Sequence, residues 1–150
     1  MASRVDPIPE GYHTVTPYLT VQGVAKLIEF VKQAFEAKEI ERITQSDGTI
    51  THAEVRIGDS VVMMGEAKDP TAAMPSGIYL YVNDTDATYE RALQAGATSL
   101  MQPTDTFYGD RNAGAKDPCG NHWWIATRKE NISPEELAKR AEAFMKENKR

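Results

Sequence analysis

Only one of the 150 residues is a cysteine, Cys119. That excludes a disulfide framework and a multi-thiolate zinc site, and makes a reducing, cytoplasmic compartment the expectation. Histidines number three and tryptophans two, so any imidazole-based site has few residues to draw on. Long hydrophobic runs are missing as well. The longest uncharged stretch, Gly11 to Ala25, spans 15 residues and includes a proline, a glutamine, three threonines and two glycines, too short and too polar to cross a bilayer. Met1 to Pro7 has no apolar core of a secretory signal. Positive charge is in short supply: 17 Lys and Arg stand against 22 Asp and Glu, for a net −5 and a pI near 5.2. A general nucleic-acid binder needs clustered cations for phosphate contacts and is not expected. The cations that exist gather at the end, where Lys139, Arg140, Lys146, Lys149 and Arg150 face Glu142 and Glu147. This local +3 within a chain of −5 leaves −8 on residues 1–138, and it reads as the solvated face of an exposed helix.

What is present is ordinary for a globular protein: 41% hydrophobic and 26% charged residues. A chain of this length buries roughly 70% of its unfolded surface and needs no covalent staple. An internal repeat organises it. Tyr18-Leu19-Thr20-Val21 lies over Tyr79-Leu80-Tyr81-Val82, Glu29, Gln33 and Ala34 over Glu90, Gln94 and Ala95, and Gly58-Asp59 over Gly120-Asn121, at an offset of 61 to 62. In the first unit, Thr14 to Val21 alternates as a strand, with Pro17 near its start. Val24, Leu27, Ile28, Val31, Ala34 and Phe35 recur at helical spacing. Strands 39–46 and 50–57 flank Asp47-Gly48, and Gly58-Asp59 turns into Ser60 to Glu66.

After a linker between Lys68 and Ser76, the second unit repeats the order. Gly77 to Val82 is a strand; Asp84 caps a helix burying Tyr89, Ala92 and Leu93 and closed by Gly96; strands near 98–106, 109–116 and 122–128 follow. Ser133-Pro134-Glu135-Glu136 opens a last helix with a capping box, whose Leu137, Ala141, Phe144 and Met145 stripe reads as a docking face. The predicted fold class is α+β: two βαβββ modules, about 12–67 and 77–128, and a terminal helix, about 133–148, in one domain.

Strand periodicity sorts side chains onto two faces. Val15, Leu19, Val21, Ala53, Val55, Ile57, Val61, Met63, Ile78, Leu80, Val82, Trp123 and Ile125 are assigned to the helix-covered core. The opposite set is Thr16, Tyr18, Thr20, His52, Glu54, Arg56, Val62, Met64, Glu66, Tyr79, Tyr81, His122 and Trp124. Its mix of aromatic and polar groups suits a small-molecule pocket, and equally a face packed against another module or subunit.

The paired modules, with Tyr108-Gly109-Asp110-Arg111, Asp117-Pro118-Cys119-Gly120-Asn121-His122-Trp123-Trp124-Ile125-Ala126-Thr127 and Ile132-Ser133-Pro134-Glu135-Glu136-Leu137, resemble the glyoxalase, bleomycin-resistance and extradiol-dioxygenase superfamily, the vicinal oxygen chelate proteins, and most of all their PhnB-like branch. The resemblance covers about residues 12–140. It implies a cup-shaped sheet built from two modules, often completed in a homodimer. Metal-dependent members ligate through positions that here fall on Thr16, about Val62 or Met64, Gly77 and Trp124, none of them an imidazole or carboxylate. No cofactor is therefore expected, although His52, Glu54, Glu66 and His122 share a parity and could form an off-pattern site.

Residues expected to bind ligand are Tyr18, His52, Glu54, Met64, Tyr79, Tyr81, Arg111 and Trp124. His52 reads either as a hydrogen-bonded neutral imidazole or as a general base. Arg111 reads either as an anion-binding fork or as an ion pair with Asp110, Asp117 or Glu54. Cys119 stands where the motif commonly has Phe and reads as a packed small hydrophobe. The leading functional expectation is a metal-free protein holding a planar or aromatic small molecule in an aromatic-lined cup. A metal-dependent glyoxalase-type lyase, isomerase or dioxygenase-like enzyme, and a dimerisation module without ligand, are the alternatives.

Overall fold

The computed structural model describes residues 4–148, so Lys149 and Arg150 of the basic tail and Met1 to Ser3 lie outside the described residues. In chain order the elements are β1 (Tyr18–Val21), α1 (Val24–Phe35), β2 (Lys38–Thr44), β3 (Ile50–Ile57), β4 (Ser60–Glu66), a 3-10 turn (Pro70–Ala72), β5 (Gly77–Tyr81), α2 (Thr85–Gln94), β6 (Thr98–Asp105), β7 (Asp110–Lys116), β8 (His122–Arg128) and α3 (Pro134–Glu147). Both βαβββ repeats form, and the class is α+β. They give two four-stranded mixed sheets, ordered β1-β4-β3-β2 and β5-β8-β7-β6. In each, the first strand runs parallel to the last and the other pairs are antiparallel.

The helices form where the sequence places their caps. The Asp84 carboxylate accepts from the Ala87 amide at 3.1 Å, and Gly96 just beyond α2 takes φ +110°, a left-handed turn that suits glycine. Ser133 accepts from the Glu136 amide at 3.1 Å. The expected return arm of that capping box is absent, because the Glu136 carboxylate accepts from Arg140 Nε at 3.2 Å instead. The first helix has no side-chain cap from its own N-terminal residue. Glu66, at the end of β4, accepts from the Gly23 and Val24 amides at 2.9 Å each, placing a carboxylate where the helix start is electropositive.

Val24, Leu27, Ile28 and Val31 are fully buried and share one hydrophobic cluster with Tyr89, Ala92, Trp123 and Ile125. Each large aliphatic side chain there contributes about 1.5–3 kcal/mol by leaving water. The cluster spans both modules: the Phe35 and Trp123 rings lie 4.7 Å apart, and Arg91 Nε donates to the Ala34 carbonyl at 3.3 Å. Among the described residues no helix is long and apolar enough to cross a membrane.

Two sequence expectations need correction. The first strand begins at Tyr18 rather than Thr14, and Val15, assigned to the core, is 81% exposed. Pro17 has no N–H for a ladder; only its carbonyl takes part, accepting from the Met63 amide at 2.9 Å. The second correction concerns β4. Its two-residue turn pairs Ile57 with Ser60 and Val55 with Val62, so odd positions of β3 lie beside even positions of β4. Val62 and Met64 therefore join the core, while Met63 stands beside Glu54 and Tyr18 on the face away from the helices. A side-chain period of two makes such a one-residue offset invert the whole strand.

Candidate functional site

The helix-free face of the first sheet carries two adjacent rows, Tyr18-Met63-Glu54 and Thr20-Gly65-His52. Glu54 is buried at 8% exposure, which demands hydrogen bonds for its charge. The Tyr12 hydroxyl donates to its Oε1, and His52 Nε2 lies 2.9 Å from its Oε2. The bonds from Tyr12 and then His52 hold the Glu54 carboxyl below the ordinary carboxylate range against the opposing effect of burial. The same contact with Glu54 raises the Tyr12 hydroxyl above its usual value. His52 Nδ1 faces the Tyr18 hydroxyl at a loose 3.4 Å, with ring centroids 5.7 Å apart. Gly65 makes room, since a Cβ there would collide with that hydroxyl.

The second sheet repeats the rows with different side chains: Tyr79-Trp124-Gly114 and Tyr81-Ala126-Asn112. Asp110, also buried, accepts from the Tyr79 hydroxyl at 2.7 Å and the Tyr81 hydroxyl at 3.1 Å. Burial first, then the bond to Asp110 and the neighbouring Tyr108, push the Tyr79 hydroxyl far above its ordinary range. Tyr81 is raised for the first two of those reasons. Asn112, 4% exposed, donates from Nδ2 to the Tyr108 hydroxyl at 3.1 Å. Its Oδ1 is buried with no partner, an arrangement that costs about 1–3 kcal/mol when nothing fills it.

Beside this residue lies a cavity of about 740 Å³ lined by Tyr79, Phe107, Tyr108, Asn112, Trp124 and Phe144, among others. Gly114 is a structural requirement of the site, because a Cβ there would overlap the Trp124 ring. The terminal helix closes one side: Phe144 lies 4.9 Å from Phe107, and Arg140 is tied to Glu130 at 2.9 Å and to the Phe107 carbonyl at 3.4 Å. A second space, a crevice of about 1030 Å³ between the modules, is bordered by Phe35, Arg56, Tyr79, Tyr81, Arg91 and Trp123, among others.

Of the eight residues expected to bind ligand, Tyr18, His52 and Glu54 come together on one sheet and Tyr79, Tyr81 and Trp124 on the other. The smaller cavity is lined by none of the first three. Met64 is not on either face; it is fully buried in the core for the register reason given above. Arg111 lies in the alternate row of β7, with core residues Ala113 and Ala115. It pairs with Asp86 at 2.6 and 3.0 Å and with Asp105 at 3.1 Å, none of them a partner named from sequence. It is a fork, occupied by carboxylates of its own chain. The residues missed were Tyr12, Phe107, Tyr108, Asp110, Asn112 and Phe144. Asn112 had a signal, since it shares Asp110's strand parity, and Phe144 lay in the stripe read as a docking face.

The Asp-Pro-Cys-Gly turn has a structural task. The buried Asp117 carboxylate accepts from the Cys119 and Asn121 amides at 2.8 and 3.0 Å, from Asn121 Nδ2 at 2.9 Å and from Trp123 Nε1 at 2.8 Å. Cys119 packs against the core, and burial, aided by Asp117, pushes its thiol up to about 11.

The residues do not fit a divalent metal at the positions the resemblance assigns. Val62 and Met64 are core residues and Trp124 is a cavity wall. The off-pattern set is also dispersed. His52 meets Glu54, Glu66 caps α1, and His122 belongs to the other sheet. Among the described residues no three His, Cys, Asp or Glu side chains converge on one point.

The sequence matches the Glyoxalase/Bleomycin resistance protein/Dioxygenase superfamily over residues 12–125, and the chain belongs to that family. A protein of Mycobacterium bovis, named as uncharacterized, is 34% identical over 148 residues, covering 91% of this chain and 93% of its own. Among solved structures, TioX from Micromonospora sp. ML1 superposes with a TM-score of 0.66 at 21% identity, over 77% of this chain and 98% of its own. TnmS3, an antibiotic binding protein from Streptomyces sp. CB03234, gives 0.62 at 21% identity, over 78% and 96%. These structural likenesses establish the fold; one fold hosts many chemistries, so function rests on the site.

Proposed function

We propose that this protein is a small-molecule binding protein that holds a planar, aromatic ligand carrying a hydrogen-bond donor in the cavity between the second sheet and α3. The observation that carries this reading is the unpartnered Asn112 Oδ1, a buried acceptor in a residue that lines the cavity with five aromatic side chains, beside Met101, Thr104, Asp105 and Thr106. Apolar walls with a few orienting polar groups are the usual make-up of a ligand site, and a cavity of about 740 Å³ falls in the size range of such sites. Tyr79 is held by Asp110 and Trp124 is seated over Gly114, so two ring surfaces are fixed in advance and lose little freedom on binding. The antibiotic-binding description of TnmS3 agrees with a small-molecule binding role. The Gly109-Asp110-Arg111 and Asp117-Pro118-Cys119-Gly120 motifs support a place in the PhnB-like branch, and the acidic, cysteine-poor composition supports a cytoplasmic protein.

Binding is tested by calorimetric titration with β-naphthol and with its methyl ether, which has the same ring system and no donor. Binding of naphthol in preference to the ether, abolished by Trp124→Ala, is the expected result. Equal binding of both, or binding indifferent to Trp124, overturns the reading.

A second copy of the chain is part of the proposal. On the sheet faces turned away from α1 and α2, Tyr18, Ile43, Tyr79 and Tyr81 are 51, 52, 43 and 60% exposed, an unusual amount of large apolar surface on faces that do not share a cavity within one chain. A dimer in which these faces meet would cover them. Light scattering at twice the 16.6 kDa chain mass supports it, and a monomer at all concentrations excludes it.

A further inference from the structure

Whether Asn112 leaves an oxygen or a nitrogen without a partner depends on which end of its amide meets Tyr108. A carboxamide donates at nitrogen and accepts at oxygen, and a tyrosine hydroxyl can do either. Asn112 and Tyr108 taken alone can therefore bond in two ways, Nδ2 to a hydroxyl that accepts or Oδ1 to a hydroxyl that donates. The first is found, at 3.1 Å, and it is the one that leaves Oδ1 unpartnered. Asp110 supplies the direction. Its carboxylate is 5% exposed and only accepts, and the Tyr79 hydroxyl donates to it at 2.7 Å. With its proton committed there, Tyr79 has only a lone pair for the neighbouring Tyr108 hydroxyl, a contact that, after burial and the Asp110 bond, also raises Tyr79. Tyr108 then turns its own proton toward Tyr79 and its lone pair toward Asn112, and only Nδ2 can meet a lone pair. The row is anchored locally as well: Thr106 Oγ1 donates to the Asp110 carbonyl at 2.7 Å, which holds the turn that carries Tyr108.

We propose that Asp110 is a specificity-determining residue of the cavity. Acting through Tyr79 and Tyr108, it leaves the oxygen end of the Asn112 amide for a ligand, so the site selects planar nitrogen heterocycles that carry a ring N–H over those whose ring nitrogen carries a lone pair. A ring N–H meets Oδ1 and completes the row from Asp110 through Tyr79, Tyr108 and Asn112 to the ligand, with one donor and one acceptor at each step. A ring lone pair meets the lone pairs of Oδ1 instead, and the buried acceptor stays unpaired. Tyr79, Tyr108 and Asn112 all line the cavity, whereas Asp110 does not border it; Asp110 is a positioning residue. This selectivity rests on the cavity being a ligand site, as proposed above, and adds the chemistry by which it chooses among ligands of one shape.

Indole and quinoline are suitable probes, because both are planar, fused and uncharged at neutral pH, and one offers an N–H where the other offers a lone pair. Calorimetric titration of the full-length parent chain should show indole bound about two- to twelvefold tighter, the worth of one hydrogen bond. Asp110→Asn keeps the shape and lets the residue donate to Tyr79 as well as accept, so the row can run in either direction. Quinoline should then bind tighter than it does to the parent, and the preference for indole should fall toward equality. A purely structural role for Asp110 would weaken both probes together. Tyr108→Phe removes the link at a residue 38% exposed and should abolish the preference likewise; it decides the matter if Asp110→Asn fails to fold. A parent chain that binds both probes equally or prefers quinoline overturns the assignment. Binding that Trp124→Ala abolishes, with the preference for indole kept in both variants, also overturns it and leaves the ligand site standing. Should neither probe bind, the ligand site fails for this class of molecule and the row is read without ligand. The Asn112 Nδ2 proton held by Tyr108 should then exchange with water faster in Asp110→Asn than in the parent chain, as followed by NMR, and equal rates overturn the role of Asp110.

Discussion

Replacing Asn112 with leucine keeps the branched shape and the number of side-chain heavy atoms and removes both ends of the amide. In the unliganded protein two effects oppose each other. The buried Oδ1 has no partner, and eliminating such an acceptor recovers about 1–3 kcal/mol. The bond from Nδ2 to the Tyr108 hydroxyl is lost, at about 1 kcal/mol; Tyr108 is 38% exposed, so water replaces the missing partner. The balance is a stability change between zero and a gain of about 2 kcal/mol, or zero to roughly 8 °C in Tm for a chain of this size. Ligand binding moves the other way. A donor that meets Oδ1 contributes about 0.5–1.5 kcal/mol, so Asn112→Leu weakens β-naphthol by about two- to twelvefold and leaves the methyl ether unchanged or tighter. Thermal melts with and without ligand, alongside calorimetry, read both effects. A variant destabilised by more than about 2 kcal/mol, with naphthol affinity intact, would refute the reasoning, since Oδ1 must then have an internal partner.

Asp110→Asn removes the carboxylate that holds Tyr79 and Tyr81. Its phenolate absorbance titration should show tyrosine ionisation moving down toward the ordinary 10. Because the folded-state Tyr79 value is raised, its contribution to stability is complete below pH 10 and lost as pH rises further; the variant should lose less across that alkaline window in denaturant titrations. Asp117→Ala strands the fully buried Trp123 Nε1 and Asn121 Nδ2 donors, at about 1–3 kcal/mol each. A Tm drop of roughly 4–24 °C is expected by calorimetry. Arg111→Met breaks ion pairs whose partners Asp86 and Asp105 are 53 and 78% exposed, so stability changes by no more than about 1 kcal/mol and naphthol affinity not at all. A large loss of affinity would restore Arg111 to the ligand site.

The sequence pattern reached the architecture because the signals that define it are local and redundant. Glycine and aspartate at the turns, the α1 stripe, and the offset between Tyr18-Leu19-Thr20-Val21 and Tyr79-Leu80-Tyr81-Val82 each pointed to the same repeat, and all recur in the strands and helices described. Face assignment was legible where one strand was read by itself. It failed where two strands had to be phased against each other. In β3 the odd positions were correctly assigned to the core; in β4 the same rule misplaced Met63 and Met64, because the pairing of Ile57 with Ser60 exchanges odd and even. In the second module Asp117 to Asn121 separate β7 from β8, even positions pair with even, and Trp123 and Trp124 were sorted correctly. Arg111 was placed by motif rather than by parity, and parity alone would have set it beside Ala113. Tyr12 and Phe107 lie outside the strands and helices, where no periodicity could orient them, while Phe144 was placed by the helical stripe of α3 and read there as part of a docking face.

Comparing the equivalent positions of the two modules explains why one fold offers two different surfaces. The row through Tyr18 continues into Met63 and Glu54; the row through Tyr79 continues into Trp124 and Gly114. The next row reads Thr20, Gly65 and His52 on one sheet and Tyr81, Ala126 and Asn112 on the other. Only one large ring fits over each centre, and the glycine marks where it lies: Gly65 admits the Tyr18 hydroxyl and Gly114 admits the Trp124 ring. Moving the glycine from β4 to β7 moves the ring with it. On the first sheet the space beside the tyrosine is left for a carboxylate and an imidazole, which bury charge only because Tyr12 and His52 satisfy it. On the second sheet the carboxylate is displaced to Asp110 at the strand start, where two tyrosines cover it, and the vacated centre is taken by the Trp124 ring and the buried, unpartnered Asn112 amide oxygen. Exchanging the pair, Gly65→Ala with Gly114→Ala, would therefore damage the two surfaces independently: the first through Tyr18 and His52, the second through Trp124. Gly114→Ala should lose naphthol binding, and Gly65→Ala should retain it.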